Sequence, residues 1–263
     1  MLIVPSLTSL LAALALLPAA PSETDLALDT LAACTDVSDA KCITAAAQLK
    51  IAGDAALGPV AARVEKLGSP GQMLVLTVFA DEVRPETTDM LLRLARSKSA
   101  EPGIRAVAID ALAKRHDARV PALTQGLMGD GSVLVRQASV RALANMVTAK
   151  DRRIIGALQR AARDKAPEVR AEAAYGLGFC NCSQAGPVLT KALDDTAVDV
   201  QRAAAQGLSF VRHAPAVAHL VPLLRAEDEL LRRSVGRALR FQTDENLGDD
   251  AVAWEQWLTT HHR

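Results

Sequence analysis

The chain has 263 residues, half of them apolar, yet only 3% are aromatic. A core that must be made of Ala, Leu and Val favours closely packed helices over a sheet. Thirty Lys and Arg balance thirty Asp and Glu, a net charge of zero, which argues against a dedicated nucleic-acid or membrane-surface binder, expected to be basic.

In chain order, Leu2 to Ala20 are apolar and uncharged. LTSLLAALALL followed by PAAPSETD reads as an export signal, and the small residues Ala20 and Ser22 set the expected cleavage after Ser22. Residues 1–22 are thus the expected signal peptide, and the destination is the periplasm or the extracellular space. The pattern departs from the usual one in having no Lys or Arg before the apolar run. That run is shorter than the roughly 20 residues a membrane crossing needs, which speaks against a retained span. Leu31-Ala32-Ala33-Cys34 has the form of a lipidation box, but Asp25 and Asp29 stand where such a signal is apolar, so a lipid anchor at Cys34 is not expected.

Residues 23–37 are expected to form a capping helix ahead of a repeat array over 38–263. The array is plainest at Pro167 to Asp195, whose neighbours on both sides are imperfect copies of it. With Val169-Arg170 as marker, the same step recurs at Ile104-Arg105, Val135-Arg136, Val200-Gln201 and Leu231-Arg232, at spacings of 31, 34, 31 and 31 residues. Seven residues after each marker stands a leucine (Leu112, Leu143, Leu177, Leu208, Leu239), preceded only by Ala or Gly. A fixed period in the thirties marks a helical-repeat array. Adding divergent markers at Cys42 and Met73 predicts seven antiparallel helix pairs, an all-α solenoid. In the second pair a helix is expected to run to Glu82 and its partner from Pro85 to Arg96.

Second helices carry Gly58-Pro59-Val60, Val120-Pro121-Ala122 and Gly186-Pro187-Val188. Each proline is expected in a first helical turn, where its missing amide hydrogen has no partner to lose. Asp130, Asp164 and Asp195 stand six residues before their markers, as caps and turn formers. They also offer partners to the marker arginines Arg105, Arg136, Arg170 and Arg232. As exposed pairs these would each be worth under roughly 1 kcal/mol.

The repeated D-x-x-x-x-V-R-x-x-A-x-x-(A/G)-L pattern, over about residues 38–263, resembles the HEAT-repeat family in its bacterial, phycobilisome-lyase-like form. The closing Trp254-Glu255-Gln256-Trp257 also resembles the Trp-x-x-Trp ending of such arrays, with both rings on one helix face as a cap; a ligand-stacking pair is the other reading. The resemblance implies a curved α-solenoid that binds protein partners on a concave surface lined by second helices, with Asp and Arg linking neighbouring repeats.

No catalytic, metal or cofactor site is expected. His116, His213, His219, His261 and His262 show no helical metal spacing, and the His-Glu pairs of the di-iron hydroxylases built on HEAT repeats are absent. No glycine-rich phosphate loop or nucleophile elbow is present either. Of the four cysteines, Cys42 and Cys180 are four repeats apart, about 40 Å at helix-packing distances, so only Cys34 with Cys42 and Cys180 with Cys182 are within reach. Two structural bridges are the expected outcome in an exported chain; a strained, redox-active Cys180/Cys182 pair is the other reading. The local positive excess between Lys150 and Lys165 names Arg152, Arg153, Arg160 and Arg163 as candidates for holding an acidic protein partner, against a simply solvated helix face. These features point to a non-enzymatic scaffold or adaptor for a protein partner in the cell envelope. No cofactor and no nucleic acid are expected, and no stable membrane insertion after signal removal. The alternative is an enzyme or enzyme subunit, chromophore-lyase-like by resemblance or thiol-redox through Cys180 and Cys182.

Overall fold

A computed structural model describes residues 22–261. The expected signal peptide therefore lies outside the described residues, save for Ser22. Among the described residues the chain is helical throughout, without strands, and divides into two compact units at Phe79/Ala80.

The first unit holds α1 (Glu23–Ala32), α2 (Ala40–Ala52), α3 (Asp54–Arg63) and α4 (Ser69–Phe79). Ser22 starts α1 with a capping box: its Oγ accepts the Asp25 amide at 3.1 Å, and its own amide donates to the Asp25 carboxylate at 3.3 Å. Leu28, Leu31, Leu49, Val64 and Leu76 are fully buried between the helices. Arg63 reaches back from α3 to Asp25, at 3.4 Å, and to Asp29. Cys34, just after α1, is joined to Cys42 on α2 with their Cα atoms 6.1 Å apart.

Two boundaries differ from the sequence reading. Gly53, at φ +56°, ends α2 and begins α3 without a linker, so α3 starts at Asp54 and Pro59 sits in its interior, not its first turn. The helix continues past it although the Ala55 carbonyl is deprived of its amide partner. The helix expected to run to Glu82 stops at Phe79. In the second unit the Ala80 carbonyl accepts from Arg115 Nε at 3.0 Å, and Arg84, ahead of Pro85, is extended.

The second unit opens with α5 (Pro85–Arg96) and continues as five helix pairs: α6 (Pro102–Lys114) with α7 (Val120–Leu127), α8 (Val133–Ala144) with α9 (Arg152–Ala161), α10 (Pro167–Phe179) with α11 (Gly186–Ala192), α12 (Val198–Leu208) with α13 (Ala216–Leu223), and α14 (Glu229–Thr243) with α15 (Ala251–His261). Pro121 and Pro187 stand in first turns, as expected. The marker residues Ile104, Val135, Val169, Val200 and Leu231 and the leucines seven after each arginine position form one stripe, all at most 2% exposed. In α15 Trp254 is fully buried and its Nε1 donates to the Gly248 carbonyl at 3.0 Å. Trp257 meets it edge-on at 5.9 Å and stacks on His261 at 4.5 Å. Trp254 therefore closes the core and offers no face to a ligand.

The loops between pairs hold a continuous ladder. Arg105 reaches the Asp130 carboxylate of the next loop at 2.7 Å. Arg136 forks onto Asp164 at 2.8 and 2.9 Å, and Arg170 onto Asp195 at 2.7 and 2.8 Å. Two of them also tie their own loops: Arg136 donates to the Asp130 carbonyl and Arg170 to the Asp164 carbonyl, both at 2.9 Å, while Arg105 donates to the Ala95 carbonyl of α5 at 3.3 Å. The aspartates are turn formers and not helix caps: each accepts the amide two residues on, from Ser132, Ala166 and Ala197, in the turn ahead of the next helix. These pairs are not the exposed ones the sequence suggested, since the Arg136 and Asp164 side chains are only 4% and 13% exposed. Arginine's planar fork satisfies the carboxylate and the loop carbonyls together, which makes such burial tolerable. The ladder ends at Gln201, whose amide keeps the bond to the Asp195 carbonyl at 2.8 Å.

Burial alone would raise the carboxyls of Asp130 and Asp164, but the arginine and backbone donors outweigh it and hold both below the usual range. For Asp195 the Arg170 hydrogen bonds are the largest influence, in the same direction.

Candidate partner-binding surface

Two residues beyond the stripe-ending leucine, near the end of each first helix or, for Phe210, in the turn just after it, the chain comes to the surface. Three successive repeats place phenylalanine there: Phe179, Phe210 and Phe241, 31 residues apart. Tyr175, one turn before Phe179, shares its helix face. The Tyr175 and Phe179 rings lie 4.7 Å apart, and Phe179 and Phe210 5.3 Å apart across α10 and α12. All three are about half exposed, at 44, 50 and 54%. A chain with four Phe, two Trp and one Tyr thus spends three of its seven aromatic side chains on one patch of surface.

The cause is the seam between α10 and α12. A Cβ on Gly178 would stand 2.5 Å from the Gly207 Cα, and one on Gly176 would stand 2.6 Å from the Ala144 Cβ of α8. First helices meet there at backbone distance, as their small residues suggest, and leave no room for a ring between them. The aromatic side chains therefore lie over the seam instead of in it. Phe241 is different: Arg212, itself forked onto Asp244 at 2.7 and 2.9 Å, covers it at 5.1 Å.

Toward α14 this face opens into a cavity of about 770 Å³ lined by Arg233, Arg237 and Arg240 together with Arg202, Gln206 and Leu230. The spacing of 233, 237 and 240 puts the three arginines along one side of α14. Arg233 pairs with Glu229 at 2.5 Å, and Arg202 with Asp199 and, at 3.6 Å, with Asp228. Arg237 and Arg240 are exposed and have no carboxylate within ion-pair distance among the described residues. Gln206 and Arg237 also line the smaller pocket, about 200 Å³, under Tyr175, Phe179 and Phe210. Aromatic patch and arginine cavity are therefore parts of one surface.

One repeat earlier, Arg141 of α8 lies between Asp110, at 3.3 Å, and Glu172, at 3.5 Å. Burial pushes both carboxyls above their ordinary range, and the attraction of Arg141 only partly counters it.

Of the residues singled out in the sequence, Arg152, Arg153 and Arg160 are exposed on α9, opposite buried Ile154, Ile155 and Leu158, and Arg163 is exposed in the turn that follows. They form one basic helix face, on a second helix and apart from the aromatic first helices. Cys180 and Cys182 are joined, with Cα atoms 5.3 Å apart and Asn181 between them at φ +48°; both are buried. His219 pairs with Asp194 at 3.1 Å, and His213 packs on Gly186. No cluster of His, Cys, Asp or Glu among the described residues is arranged to hold a metal. The aromatic face and the α14 arginines escaped the sequence reading, although the recurrence of Phe at nine residues past three markers was there to be seen.

A family model for HEAT repeats matches residues 120–209 and 154–240. No curated protein matches the sequence. Among solved structures, the Escherichia coli protein YibA is similar at 17% identity, over 97% of each chain, with a TM-score of 0.58. An engineered protein is similar at 18% identity over 85% of this chain and all of its own, at 0.51. Human deoxyhypusine hydroxylase aligns over 85% of this chain and 96% of its own at 16% identity, but with a TM-score of only 0.37. Residues 120–240 thus carry HEAT repeats, and the paired helices around them share the helical-repeat fold.

Proposed function

We propose that this chain is a non-enzymatic adaptor that holds a protein partner outside the cytoplasm, with the aromatic face of α10 and α12 as its docking surface. One observation carries the reading: Tyr175, Phe179 and Phe210 form a contiguous, half-exposed aromatic patch on a helical-repeat fold. Exposed aromatic clusters are costly in water and are typical anchors of protein interfaces. The thiol-redox alternative has less support, because Cys180 and Cys182 are buried and no reactive sulfur faces solvent. Two joined cysteine pairs and the apolar leader both favour an oxidising compartment.

The test is affinity capture from the envelope fraction with the native chain and with Phe179→Ser/Phe210→Ser side by side. A partner kept by the native chain and lost by the variant is expected; equal capture by both removes the aromatic face from consideration. N-terminal sequencing of the secreted protein tests export separately, and a chain still beginning at Met1 in the cytoplasm would refute it.

A further inference from the structure

We infer that the cavity beside the aromatic face takes an acidic segment of the partner, its carboxylates on Arg237 and Arg240 and an adjoining apolar side chain on Phe179 and Phe210. This rests on the aromatic-face reading above and names the occupant.

Charge is left over around the cavity. Along the loop ladder every arginine meets a carboxylate of its own chain. Around the cavity Arg202 and Arg233 do the same, while Arg237 and Arg240 do not. Asp249 also lines the cavity, at the far side of Gly236, where a Cβ would stand 2.5 Å from its Oδ1, and it makes no ion pair with either arginine. Two guanidiniums one turn apart, open to solvent in a concavity of about 770 Å³, present a fork geometry suited to carboxylates. An apolar occupant would leave them unanswered, and a basic one would be repelled.

Continuity fixes the second half of the recognition. Arg237 and Gln206 border both the arginine cavity and the pocket under Tyr175, Phe179 and Phe210. A segment that places a carboxylate on Arg237 therefore has its neighbouring residues over the rings. Leu230, 55% exposed and also lining the cavity, gives a further apolar contact. Aromatic contacts would supply affinity, and the arginines would supply orientation and rate of encounter.

The probe is a short fluorescein-labelled peptide in which Glu alternates with Leu, titrated against the full chain by fluorescence polarisation at low and at high salt. Lys-Leu, Ser-Leu and Glu-Ser peptides serve as competitors. Binding of the Glu-Leu peptide is expected, weakened by salt and weakened about tenfold or more by Arg237→Glu/Arg240→Glu. Arg152→Glu/Arg160→Glu should leave it unchanged. Thermal melting of each variant should match the native chain, because all the altered side chains are exposed. No binding of the Glu-Leu peptide, equal binding of the Ser-Leu or Lys-Leu peptide, or indifference to the α14 reversal would overturn the acidic assignment. If the α14 reversal abolishes binding while Phe179→Ser/Phe210→Ser does not, the aromatic-face reading falls and the arginine assignment stands.

Discussion

The loop ladder and the first-helix face of the second unit use the same periodic device to opposite ends. In the ladder Arg105, Arg136 and Arg170 recur in phase with the repeat, and each is answered within the chain by an aspartate and by backbone carbonyl oxygen. On the face Phe179 and Phe210 recur in the same phase, with Arg237 and Arg240 beside them, and are left open to water. Periodicity alone therefore does not separate architecture from binding. What separates them is whether the side chain's needs are met inside the molecule.

Breaking the ladder should have the largest effect. Asp164→Ala leaves the buried Arg136 guanidinium without its carboxylate, and loss of one partner of a buried pair costs about 3 kcal/mol or more. Urea unfolding should show that loss, and a change under about 1 kcal/mol would return the pair to the ranks of surface bridges. Next, Gly178→Ala forces a methyl group against the Gly207 Cα and should cost about 1 to 3 kcal/mol by overpacking. A melting temperature equal to the native one would mean that the α10–α12 seam is looser than described.

Acid titration sharpens the comparison further. Asp130, Asp164 and Asp195 have folded pKa values held down, so their contribution is complete above the unfolded carboxyl value, about 3.9. It is lost as pH falls through that value toward the folded ones. Asp110 and Glu172, raised by burial, work in reverse: the folded state takes up their protons first, so stability from them rises as pH falls from the folded toward the unfolded value. Asp195→Asn should therefore flatten the loss of stability below pH 4, and Glu172→Gln should lower the gain on approach to it. Identical pH profiles for both variants and the native chain would remove the ladder as the source of acid sensitivity. The smallest effect is expected on the face, where Phe179→Ala/Phe210→Ala should change stability by less than about 1 kcal/mol, since little but ring-on-ring contact is lost.

Much of the fold was legible because a repeat shows its own alignment: the marker stripe, the small residues ahead of Leu177 and Leu208, and the Asp-to-Arg spacing all follow from period and residue type. Exposure was not legible. Asp164 and Arg136 read as surface charges, since nothing local reveals that loop carbonyls converge on the same guanidinium. Phe179 and Phe210, two residues past buried leucines and so turned away from them, went unremarked among the apolar residues. That their rings gather over one seam depends on the backbone contact at Gly178 and Gly207, and that contact is a property of two helices 31 residues apart. Pro59 misled for a similar reason, because the early start of α3 depends on a left-handed glycine at 53.

The Gly178–Gly207 contact has a further consequence. With no side chains interleaved between α10 and α12 at this point, no rotamer change can let the helices slide or part, so the rings above them sit on a stiff plate. A partner settling there loses its own freedom on docking but finds a surface with little freedom left to lose. Its residence time would then depend on the contacts it makes, and scarcely on any rearrangement of the chain that receives it.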